Sequence, residues 1–222
     1  FNFVQFIIFE KYILKLKDLE SRYSDKQLKL AKKEYKKMNS KQIDNLKYSI
    51  MGGLPAAEKK YTIKEFKKML DAYKDINKVE LRNNLIEFLK NIIPVAEENN
   101  IKMAIHPDDP PISLFGLPRI VSTLRDYELI LNSIRSKSNG MTFCAGSLAS
   151  NVNNNIYKIF EQFKNKIYFI HLRNISLEKD RKSFYESNHL SGDIDFVKLI
   201  KLILKEEKRK KKFNNLNYEI PM

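Results

Sequence analysis

Three residues able to bind a divalent transition metal recur at equivalent places in this sequence. His106 follows the apolar run Ile101-Lys-Met-Ala-Ile105 and opens a stiff polar turn, His106-Pro-Asp-Asp-Pro-Pro111. Cys144 closes Met141-Thr-Phe-Cys144, and His171 closes Ile167-Tyr-Phe-Ile-His171. Each apolar run has the length of a short buried strand, and each candidate ligand sits where its run stops. Two imidazoles and a thiolate form a competent donor set for Zn²⁺, Mn²⁺ or Fe²⁺, and ligand type alone does not choose among them. Taken singly, each residue has a plainer reading: a satisfied structural histidine, or a buried cysteine in a strand. The recurrence carries the expectation of shared ligation.

Such convergence needs strands whose ends share one face. Helical patterns separate the three runs, over Arg119 to about Ile134 and over Ile156 to Phe163. A further one follows, with Phe196, Leu199, Ile200 and Ile203 in register. Alternating strands and helices predict parallel strands joined by right-handed crossovers. In a parallel barrel all strand C-termini open onto one face. The expected fold is therefore α/β, a TIM-type (β/α) barrel. The 222 residues fall short of the about 250 that eight units typically need. Strands are expected at Phe1–Leu16, Ile101–Ile105, Met141–Cys144, Ile167–Ile170 and Leu216–Met222. That makes about five of eight, a partial barrel in one domain over residues 1–222.

Helix punctuation fills the first third. Ser24 is expected to cap one helix and Ser40 to start another, which Gly52-Gly53-Leu54-Pro55 stops. That glycine pair lacks the spacing and the following Lys-Ser/Thr of a phosphate loop. Thr62-Ile-Lys-Glu65 is a capping-box pattern. Leu81, Leu85, Phe88, Leu89 and Ile92 mark a further helix, with Pro94 at a kink or at the start of a new turn.

Polar residues near the candidate ligands extend the site. Arg173 and Asn174 follow His171 directly. A guanidinium there would hold a substrate carboxylate through a bidentate pair, or form a structural ion pair with an acidic loop residue. Ser147 follows Cys144 closely and joins Arg173 and Asn174 on the substrate side. His189, in His189-Leu-Ser-Gly-Asp193, reads equally as an outer residue of the site or as surface. Asp108 is left without a role.

Composition narrows the class. Hydrophobic residues make up 43% and aromatics 11% of the chain, which excludes disorder. Cys144 is the only cysteine, so no intramolecular disulfide forms and a reducing, cytoplasmic compartment is expected. The Phe1–Phe9 run has no basic leader and is too short to span a bilayer, so a truncated or excised N-terminus is expected. Net charge is +14. Residues 1–50 carry 12 Lys/Arg against 6 Asp/Glu, and residues 198–212 carry 8 against 2. Neither stretch interleaves aromatics or glycines as an RNA-binding surface does. The lysines read as solvated helix faces, with neither nucleic acid nor membrane as partner.

Several runs together resemble the mannonate dehydratase family. They are His106-Pro-Asp-Asp-Pro-Pro111, Leu114-Phe-Gly-Leu-Pro-Arg-Ile-Val-Ser122, Asn139-Gly-Met-Thr-Phe-Cys144, His171-Leu-Arg-Asn174 and His189-Leu-Ser-Gly-Asp193. Gly53-Leu-Pro-Ala, Tyr61-Thr62 and Phe88-Leu-Lys-Asn-Ile-Ile-Pro-Val-Ala-Glu97 agree upstream. The resemblance implies a TIM barrel that dehydrates D-mannonate to 2-dehydro-3-deoxy-D-gluconate with Mn²⁺ or Fe²⁺. It implies His106, Cys144 and His171 as metal ligands. Ala145-Gly-Ser-Leu-Ala149 departs from the family's Thr-Gly-Ser-Leu-Gly, and Ala149 is strained if its backbone needs positive φ. The family's strand matching Tyr218–Met222 continues into Arg-Pro-Asp-His-Gly. A fourth ligand and a candidate acid/base are thus expected beyond Met222, and the first barrel strands ahead of Phe1.

Three rival readings remain. One is a metal-dependent sugar isomerase or epimerase, which extra His and Glu ligands on other strands would favour. Another is a non-catalytic barrel fragment that keeps its metal. The third is a basic nucleic-acid-binding module, betrayed by salt-sensitive binding. A homo-oligomer is compatible with each.

Overall fold

The computed structural model describes residues 1–52, 61–213 and 218–222. The Gly53-Leu54-Pro55 part of the expected helix stop, the Gly53-Leu-Pro-Ala run and Leu216 lie outside the described residues. The chain forms two compact units, residues 1–76 with 115–117, and residues 77–114 with 118–222.

The first unit is helical where it is described. Phe1–Leu16, expected as a strand, is instead helix α1 (Phe3–Ile8) prolonged by a π-helical turn, Phe9–Ile13. Asn2 caps α1 by accepting the Gln5 N–H at 2.9 Å. Phe3, Phe6 and Ile7 are buried at helical spacing, and Ile8 and Phe9 are buried too. A continuous apolar run fits either element, and here the cap decides. Helices α2 (Asp25–Tyr35), α3 (Ser40–Gly52) and α4 (Ile63–Asp71) follow. The Ser24 cap is a full capping box with Gln27, and Thr62 forms one with Glu65. Phe115 gathers the aromatic core, with ring centroids 4.9 Å from Phe6, 5.3 Å from Phe66 and 6.1 Å from Phe9. Glu10 is wholly buried, and its carboxylate accepts from Arg22 at 2.8 Å and from the Tyr23 hydroxyl at 2.7 Å. Burial and the Glu10 charge push the Tyr23 phenol well above its ordinary range.

The second unit alternates helix and strand. It runs α5 (Lys78–Glu98), β1 (Met103–Ile105), α6 (Leu124–Ser133), β2 (Asn139–Cys144), α7 (Ala145–Ala149), α8 (Ile156–Phe163) and β3 (Ile167–His171). The hairpin β4 (Asn174–Leu177) and β5 (Phe184–Ser187) follows, then α9 (Phe196–Lys212). The three main strands form one sheet in the order β1-β2-β3, each neighbouring pair parallel, as expected. Central β2 is buried at all six positions. Pro94 lies inside α5 without ending it.

The strand count needs correction. Among the described residues three parallel strands are present where five were expected. Phe1–Leu16 is helical, and Tyr218–Met222 is not a strand, although the Ile170 N–H donates to the Pro221 carbonyl at 2.8 Å. Helix α6 also begins at Leu124 and not at Arg119. Asp108 holds the backbone N–H groups of Ile120 and Val121 at 3.1 and 2.8 Å and the Ser122 hydroxyl at 2.9 Å. Asp108 also donates its own N–H to the Val121 carbonyl at 2.8 Å, taking the acceptor that a helix through residue 125 would need, and Thr123 caps α6 in a box with Asp126.

Gly140 shows how tightly β2 meets β3. A Cβ there would lie 2.2 Å from the Tyr168 ring and 2.6 Å from the Lys166 carbonyl oxygen. That oxygen accepts from the Met141 N–H at 2.8 Å and cannot retreat without breaking the ladder. Gly140→Ala is expected to destabilise the protein by about 2 kcal/mol through overpacking. A urea titration followed by circular dichroism checks this, and an unchanged midpoint contradicts it.

Candidate metal centre

The three candidate ligands meet at the C-terminal ends of β1, β2 and β3. His106 lies one residue past Ile105, while Cys144 and His171 end their own strands and are register partners. One ligand atom from each of His106, Cys144 and His171 lies within 4.8 Å of the other two. Metal bonds of about 2.0–2.3 Å put two ligands of one ion at most about 4.6 Å apart, so only a small adjustment closes this set. Parallel pairing produces the convergence, because each strand delivers its last residue to the same edge of the sheet.

Hydrogen bonds orient the donors. The His106 Nδ1–H donates to the Pro107 carbonyl at 2.7 Å, a tautomer that leaves Nε2 as the lone-pair donor. Cys144 Sγ lies 3.4 Å from His171 Nδ1 and accepts from the Ser147 hydroxyl at 3.1 Å. Burial alone pushes the Cys144 thiol up, but His106 and Ser147 outweigh it and bring it below the ordinary thiol range. Hydrogen bonding to Cys144 raises His106 above its ordinary value against the cost of burial, with Pro107 and Asp109 adding to the rise. His171 is lowered, first by burial and then by the charges of His106 and Arg173. Cys144 thus faces His171 at 3.4 Å while His106 lowers its thiol. The one thiol serves both imidazoles. A thiol brought toward its anionic form beside two imidazoles, one of them biased toward its neutral form, is a donor set that fits a divalent ion.

The surrounding residues divide between site and scaffold. Arg173 is 14% exposed and pairs with Asp109, which joins the loop after β3 to the loop after β1. Its Nε is buried with no hydrogen-bond partner among the described residues, Glu186 standing 3.8 Å away. Gly146 makes room for the Arg173 stem, since a Cβ there would lie 2.9 Å from Arg173 Cγ. Ser147 is wholly buried and directs its hydroxyl to Cys144. Asn174 presents its amide to the backbone: it donates to the His189 and Ile194 carbonyls and accepts from Ile175 and Ile194 N–H. His189 is exposed against the Phe196 ring, outside the ligand cluster. Asp108 ties its own loop to residues 119–122. Asp109 was missed as a partner of Arg173. Its place in the His-Pro-Asp-Asp turn was the available signal, but sequence spacing does not reveal which strand-end loop lies opposite. Ala149 ends α7 and is not among the positive-φ residues, so the expected strain does not arise.

Asn174→Ala is expected to cost about 2 kcal/mol, because it strands several buried backbone groups in the loop that carries His189. Thermal unfolding measures the loss, and faster amide exchange at Ile175 and Ile194 locates it.

A sequence profile for the family described as D-mannonate dehydratase (UxuA) matches residues 7–216. The chain belongs to the mannonate dehydratase family. The mannonate dehydratases of Saccharophagus degradans and Marinomonas sp. are each 41% identical to it over all 222 residues. The chain spans 56% of the length of either relative. The crystal structure of mannonate dehydratase from Streptococcus suis serotype 2 superimposes with a TM-score of 0.59 at 41% identity. That match covers 63% of this chain and 41% of the other. Family membership accounts for the order in which the motifs occur, and an α/β architecture with a parallel sheet accords with it.

Proposed function

We propose that this chain carries the metal-binding and carboxylate-binding part of a cytoplasmic mannonate dehydratase. Its residues 1–222 contribute to one (β/α) barrel that converts D-mannonate to 2-dehydro-3-deoxy-D-gluconate and water. The observation that carries the reading is the meeting of His106, Cys144 and His171 within 4.8 Å at the ends of consecutive parallel strands.

The reaction removes the C2 proton, next to the carboxylate, and the C3 hydroxyl. The resulting enol then becomes the 2-keto acid. The C2 proton is weakly acidic, so negative charge developing on the substrate oxygens must be stabilised. Mn²⁺ or Fe²⁺ bound by His106, Cys144 and His171 would supply Lewis acidity to those oxygens. The chain's own residues do the rest of the positioning. The Pro107 carbonyl holds the His106 tautomer, and the Ser147 hydroxyl holds the Cys144 sulfur. Arg173 is assigned to the substrate carboxylate, and its Nε–H, without a hydrogen-bond partner among the described residues, supports that role. Asp109 fixes the guanidinium until a carboxylate arrives. Asn174 supports the substrate side by holding the loop that carries His189. No proton-transfer step is assigned to a residue of this chain.

The test is D-mannonate turnover by the purified chain with added Mn²⁺ or Fe²⁺, read by NMR of the 2-keto product alongside bound metal. Product together with stoichiometric metal supports the reading. Metal without product makes the chain a non-catalytic metal-binding barrel piece. A chain that takes up neither metal nor substrate overturns the assignment.

A further inference from the structure

The outermost helix of the second unit has a face whose composition the proposed reaction does not use. Helix α9 buries Phe196, Leu199, Ile203 and Glu206 against its own unit. Nine of its residues are exposed: Val197, Lys198, Ile200, Lys201, Leu204, Lys205, Lys208, Lys211 and Lys212. All nine are lysine or large aliphatic. At 100° per residue they cover one continuous sector of the helix. Val197, Ile200 and Leu204 form one edge of that sector, and Lys198, Lys201, Lys205, Lys208 and Lys212 form the other.

The helix's own carboxylates are kept off this face, and Glu161 of α8, paired with Lys164, reaches Lys205 only through its charge. Glu206 is 2% exposed and takes a two-pronged contact from Arg209 at 2.6 and 2.8 Å. Glu207 turns to the Ile220 N–H at 3.0 Å. Among the described residues none of the six exposed lysines has an ion-pair partner; Lys198 and Lys211 only lean on the Tyr157 and Tyr218 rings. A solvated lysine face normally intersperses acids, because unrelieved like charge on one helix is unfavourable. Exposed apolar side chains gain nothing from water either: Val197 is 57% exposed and Leu204 48%.

We propose that this face of α9 docks, lying flat, on an anionic phospholipid bilayer surface. The helix is about 26 Å long and parallel to such a surface would place its lysines within about one Debye length, 8 Å, of the headgroups. Lys201, Leu204, Lys205, Lys208, Arg209 and Lys212 line a groove of about 510 Å³, where headgroup phosphates meet ammonium groups and Leu204 meets the acyl boundary. Association is peripheral, since no helix of the described residues is long and apolar enough to cross a membrane. An RNA surface is the weaker match. The exposed sector itself holds no aromatic residue for base stacking: Tyr157 and Tyr218 beside it are covered by Lys198 and Lys211, Phe213 at the helix end is a single ring, and the neighbouring Arg209 is already paired with Glu206.

Co-sedimentation of the 222-residue chain with vesicles tests the proposal. The chain is expected to pellet with phosphatidylglycerol mixed into phosphatidylcholine, to stay in solution with phosphatidylcholine alone, and to be released by salt. Each lysine near an anionic surface is worth about fivefold in partitioning, so K201Q/K205Q/K208Q is expected to weaken it by about 100-fold. Leu204→Ser changes no charge and is expected to weaken it by about tenfold. All four changes lie on the exposed face, and circular dichroism verifies that the variants fold. Triple-variant binding equal to that of the parent chain overturns the proposal. So does failure to pellet with anionic vesicles. Two other results also overturn it: an unaltered Leu204→Ser alongside tight capture of single-stranded RNA, or a dimer in sedimentation velocity that the triple substitution abolishes.

Discussion

Cys144→Ala is expected to lower the affinity of the chain for Mn²⁺ or Fe²⁺ by more than about 100-fold, beyond the 10–100-fold typical of losing an outer hydrogen-bond partner. The magnitude follows from the donor set. Cys144 supplies the one thiolate among the three clustered donors, and its removal leaves two imidazoles. Ser147→Ala grades the effect. It keeps the sulfur but removes the 3.1 Å hydrogen bond that helps hold it as thiolate, so a loss of about tenfold is expected. Equilibrium dialysis with elemental analysis of the protein fraction reads both values. Cys144→Ala leaves an apolar methyl in a buried position, so circular dichroism must show that the variant folds before its metal content is compared. Full metal occupancy in folded Cys144→Ala would remove this residue from the ligand set and with it the central support for the proposed chemistry.

The centre was legible because two periodic signals coincided. Each apolar run of β1, β2 and β3 ends at a residue with a metal-binding side chain, and parallel pairing turns equal positions in the chain into one position in space. The capping residues were legible for a similar reason: Ser24, and Thr62 with Glu65, act within a few residues of themselves. What escaped depended on partners far away. Asp108 suppresses helix over residues 119–122 from twelve or more positions upstream, so the α6 pattern looked longer than the helix is. Arg173 and Asp109 meet across 64 residues. The hairpin β4–β5 escaped because β5 is largely exposed and lacks an apolar run. Phe1–Leu16 failed for the opposite reason. Its core, Phe6-Ile-Ile-Phe9, is a continuous apolar run, so periodicity there could not distinguish helix from strand, and the Asn2 cap settled the matter.

Asp126 illustrates a long-range dependence with a large cost. Thr123 and Asp126 form the capping box that starts α6, inside a stretch expected to be helical from Arg119: the carboxylate accepts from the Thr123 N–H at 3.2 Å and the Thr123 hydroxyl at 2.9 Å. The sequence gives no hint of its second duty. Asp126 is 2% exposed and faces Arg82 of α5 at 2.8 Å, with Lys78 at 3.3 Å. Arg82 is itself only 15% exposed, and its Nε is already buried without a hydrogen-bond partner among the described residues. Asp126→Ala therefore removes the helix cap and leaves a largely buried guanidinium without its counter-charge. The expected loss is about 3–5 kcal/mol, the range for breaking a buried pair from one side. Arg82→Met removes the pair from the other side and costs less, about 1–2 kcal/mol. Asp126 keeps Lys78, Ser122 and Thr123 as partners, and a buried guanidinium is relieved. Urea denaturation of both variants measures the difference, provided the slope of the transition stays unchanged. Equal losses would show that the cap and not the buried charge sets the cost. A larger loss in Arg82→Met would mean that the α5–α6 contact depends on the arginine stem more than on the carboxylate.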